Sequence, residues 1–210
     1  MLRTAFRVVV GLLAIVGAIA VVGGASFAAR GISAKTPPGR LETVMARRLR
    51  SRAIPRAARE QQNPIPASAD AIKGGMEHFA DHCAVCHAND GSGDTEMGRG
   101  MSPRAPDMRQ AATQNLTDGE LFYIIENGVR LTGMPAWGGG SEHDADDNWR
   151  LVRFIRHLPK VTQPEIETMK GLNPKSPEEY RQDEETHRFL QGGAAPKTPP
   201  PHQHTHGGKG

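Results

Sequence analysis

Two cysteines and a histidine carry the most specific chemistry in this sequence. Cys83 and Cys86 are the only cysteines among 210 residues, they stand three apart, and His87 follows directly. Thiols at that spacing serve a redox disulfide, half of a tetrahedral zinc site, or the tethering of a haem by two thioethers. A structural zinc needs four protein ligands. No third cysteine exists, and no H-x3–5-H pair lies downstream within the compact segment. A thioredoxin-like dithiol expects a strand before the motif. Here Ile72, Met76, Phe79 and Cys83 recur at helical spacing instead. A disulfide across so short a loop is strained and leaves His87 without a role. Covalent haem is the leading reading, with dithiol and zinc as its alternatives.

The spacing has a physical reason. Each thiol adds to one of two vinyl groups on neighbouring pyrroles, and a short helical turn brings both sulfurs to them. The next imidazole then meets the iron. A second axial ligand is Met, His or nothing. Met134 is the candidate, because it stands in a loop, "GMPAW", between two helical segments. Gly133 permits close backbone approach there and Pro135 stiffens the turn. Met97, Met101 and Met108 are reserves, Met76 reads as core, and His143 and His157 as surface or helix-packing residues. "DGSGD" lacks the strand and lysine of a phosphate loop, so Gly91 and Gly93 read as a tight turn around the haem.

These residues need elements to hold them. Ser68 is placed to cap a helix running into the motif, and Thr117 with Glu120 forms a capping box for a second helix that Gly128 stops. A third is expected over Asp146–Leu158, with Trp149, Val152, Phe154 and Ile155 apolar and Pro159 as its end. No run alternates long enough for a strand, so residues 68–160 are expected to be an all-α domain of short helices. With 5% aromatic residues the core is weak, and a bound cofactor would staple it.

The flanks differ in kind. Residues 8–29 carry no charge and follow Arg3 and Arg7. Residues 1–29 are read as an uncleaved signal anchor, a transmembrane helix, with cleavage after Ala28 as the alternative. Residues 30–67 are read as a basic amphipathic stalk and linker. Leu41, Val44, Met45 and Leu49 share one face and arginines the other, which suits either a helix on anionic lipid or a solvated stalk. Residues 161–191 are expected as a helical extension, with Pro164 in one first turn and Ser176, Pro177 and Glu179 opening another helix. Residues 192–210 are expected to be a disordered Pro/His-rich tail, where His202, His204 and His206 offer weak divalent-metal binding or plain solvation.

The order helix, Cys83-Ala84-Val85-Cys86-His87, glycine-rich loop, helix, "GMPAW" loop and aromatic last helix resembles class I cytochrome c. The resemblance covers about residues 68–160, under half the chain, and the flanks look like those of bacterial membrane-anchored monohaem members. It implies an all-α class I cytochrome c fold, three to five short helices around one haem c. It implies thioethers at Cys83 and Cys86 and axial ligation by His87 and Met134. It also implies Gly75 and Phe79 crossing the Trp149–Phe154 helix. By the same resemblance, the Pro106 carbonyl in "APDM" accepts from the His87 Nδ1–H, with Pro103 as second choice.

Charge narrows the partners. Residues 1–67 carry eleven Lys/Arg against two Asp/Glu, whereas residues 68–160 carry nine against fourteen. The basic part is therefore membrane-proximal, and nothing points to nucleic acid. The arginines after the apolar run would favour the cytoplasm by the positive-inside rule. Covalent haem attachment in bacteria, however, occurs outside the cytoplasmic membrane. The expected placement is a single pass of that membrane with the haem domain on the periplasmic side. A haem ligated on both faces has no open site, so the expectation is an electron carrier rather than an enzyme. It would cycle Fe(III)/Fe(II) between respiratory redox proteins. The alternative is a haem c subunit of a membrane oxidoreductase complex, and a third reading is a haem enzyme or gas sensor in which Met134 dissociates. An acidic domain suits partners presenting lysines or arginines.

Overall fold

The computed structural model describes residues 2–30, 33, 34, 36, 38–175 and 177–193. The uncharged N-terminal run is helical throughout as α1 (Leu2–Arg30). Its segment Arg3–Ser26 has a mean hydropathy of 2.6 and no contact that buries it. Among the described residues it is the one helix long and apolar enough to cross a membrane, spanning ~36 Å at 1.5 Å per residue. Its length and composition suit a membrane anchor.

α2 (Arg40–Ala53) and α3 (Arg56–Arg59) follow. The stretch 54–67, expected as the end of a stalk and a linker, is instead packed onto the helices behind it. Ile54 is buried. The Arg59 guanidinium donates to the carbonyls of Ser51 and Ile54, and the Thr117 hydroxyl donates to the Arg59 carbonyl at 2.9 Å. A Cβ on Gly119 would run into the Ala58 carbonyl oxygen. Farther on, Asn63 donates to the Trp149 carbonyl at 2.9 Å, and Arg153 Nε donates to the Ile65 carbonyl at 2.8 Å. Arg153, far along the chain, thus serves the Asn63 and Ile65 carbonyls, while Asn63 itself donates back to Trp149.

α4 (Ala69–His78) opens on Ser68, whose hydroxyl accepts from Ala71 N at 3.1 Å. A π-helical turn, Phe79–Cys83, separates it from α5 (Ala84–His87). α6 (Glu96–Gly100) and α7 (Ala111–Gln114) are short. α8 (Asp118–Asn127) is capped by the reciprocal Thr117–Glu120 pair. α9 (Glu142–His157) begins four residues before the expected Asp146, because Ser141 and Asp144 form a capping box that adds a turn. A 3-10 turn, Leu158–Lys160, leads to α10 (Gln163–Lys170), and α11 (Pro177–Leu190) ends the described chain. No strand occurs among the described residues. Ser176 and the histidines 202, 204 and 206 lie outside them.

The core forms where α4 crosses α9. Gly75 sits at the crossing, where an added Cβ would strike the Arg150 carbonyl oxygen and come within 3.0 Å of Phe154 Cβ. One turn on, Phe79 meets Phe154 with ring centroids 5.1 Å apart. Both rings are fully buried, each contributing roughly 2–3 kcal/mol. Phe122 of α8 stacks on Trp149 at 4.0 Å and 8°. Asn148, buried in α9, donates to Glu126 Oε1 at 2.8 Å. Met169 of α10 is fully buried in the same core, so the extension after residue 160 begins as part of the domain. With its amide oriented to satisfy its neighbours, Asn173 donates to the Ala80 carbonyl at 3.1 Å and pairs with Asn89.

Candidate functional site

His87 closes α5 and is buried. The π turn before it carries one extra residue and resets the direction of every side chain that follows. Phe79 backs the imidazole at 6.5 Å and 47°. Burial lowers the His87 imidazole to about 4, with the Pro106 carbonyl acting in the opposite direction. The ring is therefore neutral at pH 7, the form that ligates a metal. The Pro106 carbonyl lies near the ring, and the buried Nδ1 makes no hydrogen bond of normal geometry.

A glycine-rich turn brings Pro106 there. Gly93 N donates to the His87 carbonyl at 2.8 Å, and Met108 N to the Gly91 carbonyl at 2.8 Å. Gly91 and Gly93 take φ of +73° and +71°, and a Cβ on Gly93 would lie 2.5 Å from the Ala105 carbonyl oxygen and 3.1 Å from that of Pro106. Only glycine accommodates both demands. The Thr95 hydroxyl donates to the Cys86 carbonyl at 3.2 Å and ties the same loop to the motif.

Arg109 fastens this arrangement and escaped the sequence reading. It grips Asp107 through two nitrogens at 2.9 and 3.0 Å and reaches Asp90 Oδ2 at 2.9 Å. The loop after His87 and the loop after Pro106 thus share one guanidinium. The signal available was Asp107-Met108-Arg109, but the partner at Asp90 is nineteen positions away and unmarked. The Arg109 hydrogen bond is the main reason the Asp107 carboxyl drops to about 2. A lowered carboxylate contributes stability above its unfolded value near 3.8 that is lost as pH falls toward 2. For a partly exposed pair this amounts to about 1 kcal/mol. Acid titration of the haem-loaded protein by circular dichroism should show Asp107→Asn unfolding at higher pH than the parent. Identical acid midpoints would contradict this role.

Cys83 and Cys86 are both free thiols. Burial, with Cys86 adding to it, pushes the Cys83 thiol up to about 12, and burial also raises Cys86. Redox C-x-x-C pairs need a lowered thiol pKa, so this environment does not favour a dithiol function. Among the described residues, no group of three His, Cys, Asp or Glu side chains is placed to hold a metal ion, which leaves the zinc alternative without further ligands.

The "GMPAW" loop is held at both ends. Val129 N donates to the Met134 carbonyl at 3.1 Å, Met134 N to the Thr132 hydroxyl at 3.1 Å, and Trp137 N to the Ile125 carbonyl at 3.0 Å. The Trp137 ring meets His82, in the turn before the motif, edge to face at 5.3 Å. Loop and motif are therefore in contact, and Met134 is half-buried. A Cβ on Gly133 would lie 2.7 Å from Met101 Sδ, so the Met101 thioether also lies against this loop. Of the other candidates, Met97 is exposed and Met108 packs on the core. His143 faces solvent near Asp147, and His157 pairs with Glu165 at 2.9 Å.

These residues fit a covalently bound haem. Two unpaired thiols one turn apart, a buried imidazole, and a methionine-bearing loop that touches His82 beside the motif suit such a group.

Residues 70–155 match the family model described as cytochrome C oxidase, cbb3-type, subunit III. A curated relative, the Cbb3-type cytochrome c oxidase subunit FixP of Azorhizobium caulinodans, is 35% identical over 89 residues. That alignment covers 38% of this chain and 25% of the relative, so the chain spans a quarter of the length of the protein it matches.

Proposed function

We propose, from the premise that residues 70–155 are a class I c-type cytochrome domain, that the chain is a membrane-anchored electron carrier between respiratory redox proteins. The cofactor is haem c, which when bound supplies a one-electron Fe(III)/Fe(II) couple. The buried, neutral His87 is the observation that carries the reading. In it, Cys83 and Cys86 form the thioethers and His87 Nε2 ligates the iron. The His87 Nδ1–H turns to the Pro106 carbonyl, fixing the tautomer and making the imidazole a better donor. Met134 would be the second protein ligand. A haem so held by two side chains would supply outer-sphere electron exchange rather than a site for oxygen or substrate. The haem domain lies on the periplasmic side of a bacterial cytoplasmic membrane, where covalent haem attachment takes place.

A reduced-minus-oxidised spectrum of the membrane fraction, with an intact mass of the purified chain, tests the core of this proposal. The expected result is a c-type spectrum and a mass that includes one haem and residues 1–29. A chain without added haem mass would defeat the assignment.

The family match favours a second reading, a haem c subunit within an oxidase assembly. Purification in mild detergent separates the two. Co-migration with a catalytic oxidase subunit supports the assembly, and a chain that emerges alone and still exchanges electrons supports the free carrier.

A further inference from the structure

α2 has two faces, and only one of them meets the protein. Arg50 is half-buried. Burial pushes its guanidinium down, Arg47 adds to this, and Glu120 of α8 opposes it. Directly after the helix, Ile54 is buried and Arg59 ties Ser51 and Ile54 together beside Glu120, 3.7 Å from Arg59 Nε. One side of α2 is thereby turned toward α3 and α8.

At about 100° per residue, Leu41, Val44, Met45 and Leu49 fall on the side away from Arg50. They are 73%, 46%, 53% and 63% exposed. Contrary to the expected separation of faces, Arg48 and Arg52 lie within that stripe, Arg40 and Arg47 flank it, and all four are exposed. Water alone is a poor neighbour for such a stripe, and an anionic lipid surface satisfies its apolar and its basic parts together. The chain supplies that surface. α1 ends at Arg30 and α2 begins at Arg40, so the connection spans at most ~36 Å even when fully extended.

We propose that α2 lies in the headgroup layer of the membrane that α1 spans, with Leu41, Val44, Met45 and Leu49 in the lipid boundary and Arg40, Arg47, Arg48 and Arg52 on anionic phosphates. Because Arg59 of α3 donates to the Ser51 carbonyl of α2 and Ile54 directly after it is buried, this contact sets where the haem domain sits over the bilayer. The inference rests on the anchoring reading of α1.

The test uses the full haem-loaded chain in nanodiscs of phosphatidylcholine, with and without phosphatidylglycerol. Amide hydrogen exchange is read over residues 40–53. Phosphatidylglycerol should slow exchange on the order of tenfold, since each arginine near an anionic surface contributes several-fold. The triple variant Arg47→Gln, Arg48→Gln, Arg52→Gln should lose that lipid dependence. Leu41→Gln with Val44→Gln and Leu49→Gln should speed exchange in both lipids. Exchange that is equal in the two lipids, or untouched by both variants, overturns the inference. Co-migration of chain and disc reports on α1 separately, so a chain that does not co-migrate overturns the anchoring reading and this inference with it. The haem spectrum of the same sample reports on the electron-carrier reading.

Discussion

Met134→Ala in the haem-loaded protein should abolish the methionine–iron absorption of the oxidised form and lower the reduction potential. It should also let the reduced protein bind carbon monoxide at neutral pH. A thioether stabilises Fe(II) over Fe(III), and axial ligands spread haem potentials over ~0.8 V, so a fall on the order of 0.1 V is expected. The loop itself should survive. Its backbone is held by Val129, Thr132 and the Trp137–Ile125 hydrogen bond, none of which uses the Met134 side chain. The control is Met101→Ala, because the Met101 thioether lies against Gly133 and is the nearest rival at this loop. That variant should keep the absorption and the potential. The reverse pattern, a silent Met134→Ala and a shifted Met101→Ala, would move the ligand assignment to Met101. Two silent variants would remove methionine ligation at this loop.

The second large effect is on stability. Gly75→Ala should cost about 3 kcal/mol in denaturant unfolding of the haem-loaded protein, the upper end of ordinary overpacking. The new Cβ would strike the Arg150 carbonyl oxygen, a backbone atom in the middle of α9, and crowd Phe154 Cβ at 3.0 Å. Neither can swing aside. α4 and α9 would have to separate, loosening the Phe79–Phe154 contact and the support behind His87. Gly74→Ala is the matched comparison. Its Cβ would meet only the Arg150 side chain, no closer than 3.4 Å, and alanine is favoured over glycine in a helix by about 1 kcal/mol. It should be neutral or stabilising. Equal losses at the two positions would show that the crossing is not what makes Gly75 special.

Helix caps were readable because capping is local. Ser68 and the Thr117–Glu120 pair act within three residues of themselves. The start of α9 was misplaced for a related reason. Asp146 and Ser141 are both competent signals, and the choice rested on which carboxylate reached back to its cap. The packing of both flanks was hidden from the sequence for a non-local reason. Residues 54–67 have the composition of a linker, and they pack because Asn63 engages Trp149 and Arg153, ninety positions away along the chain in the longest case, reaches Asn63 and Ile65. Met169 likewise joins the core from beyond a proline that looked like the domain's end.

By itself the sequence determined the chemistry on offer. Cys83, Cys86 and His87 fall within five residues, so their spacing, with no third cysteine to complete a zinc site, points to a haem. The apolar run at residues 8–29 likewise states its own length against a bilayer. Tertiary structure decided everything that depends on partners far along the chain. It set the Pro106 carbonyl beside His87, strapped Asp90 and Asp107 to one guanidinium at Arg109, and brought Trp137 and its loop against His82. It also chose which face of α2 is left outward. Those choices follow from packing and hydrogen-bond satisfaction across the whole domain, and no window of neighbouring residues contains them.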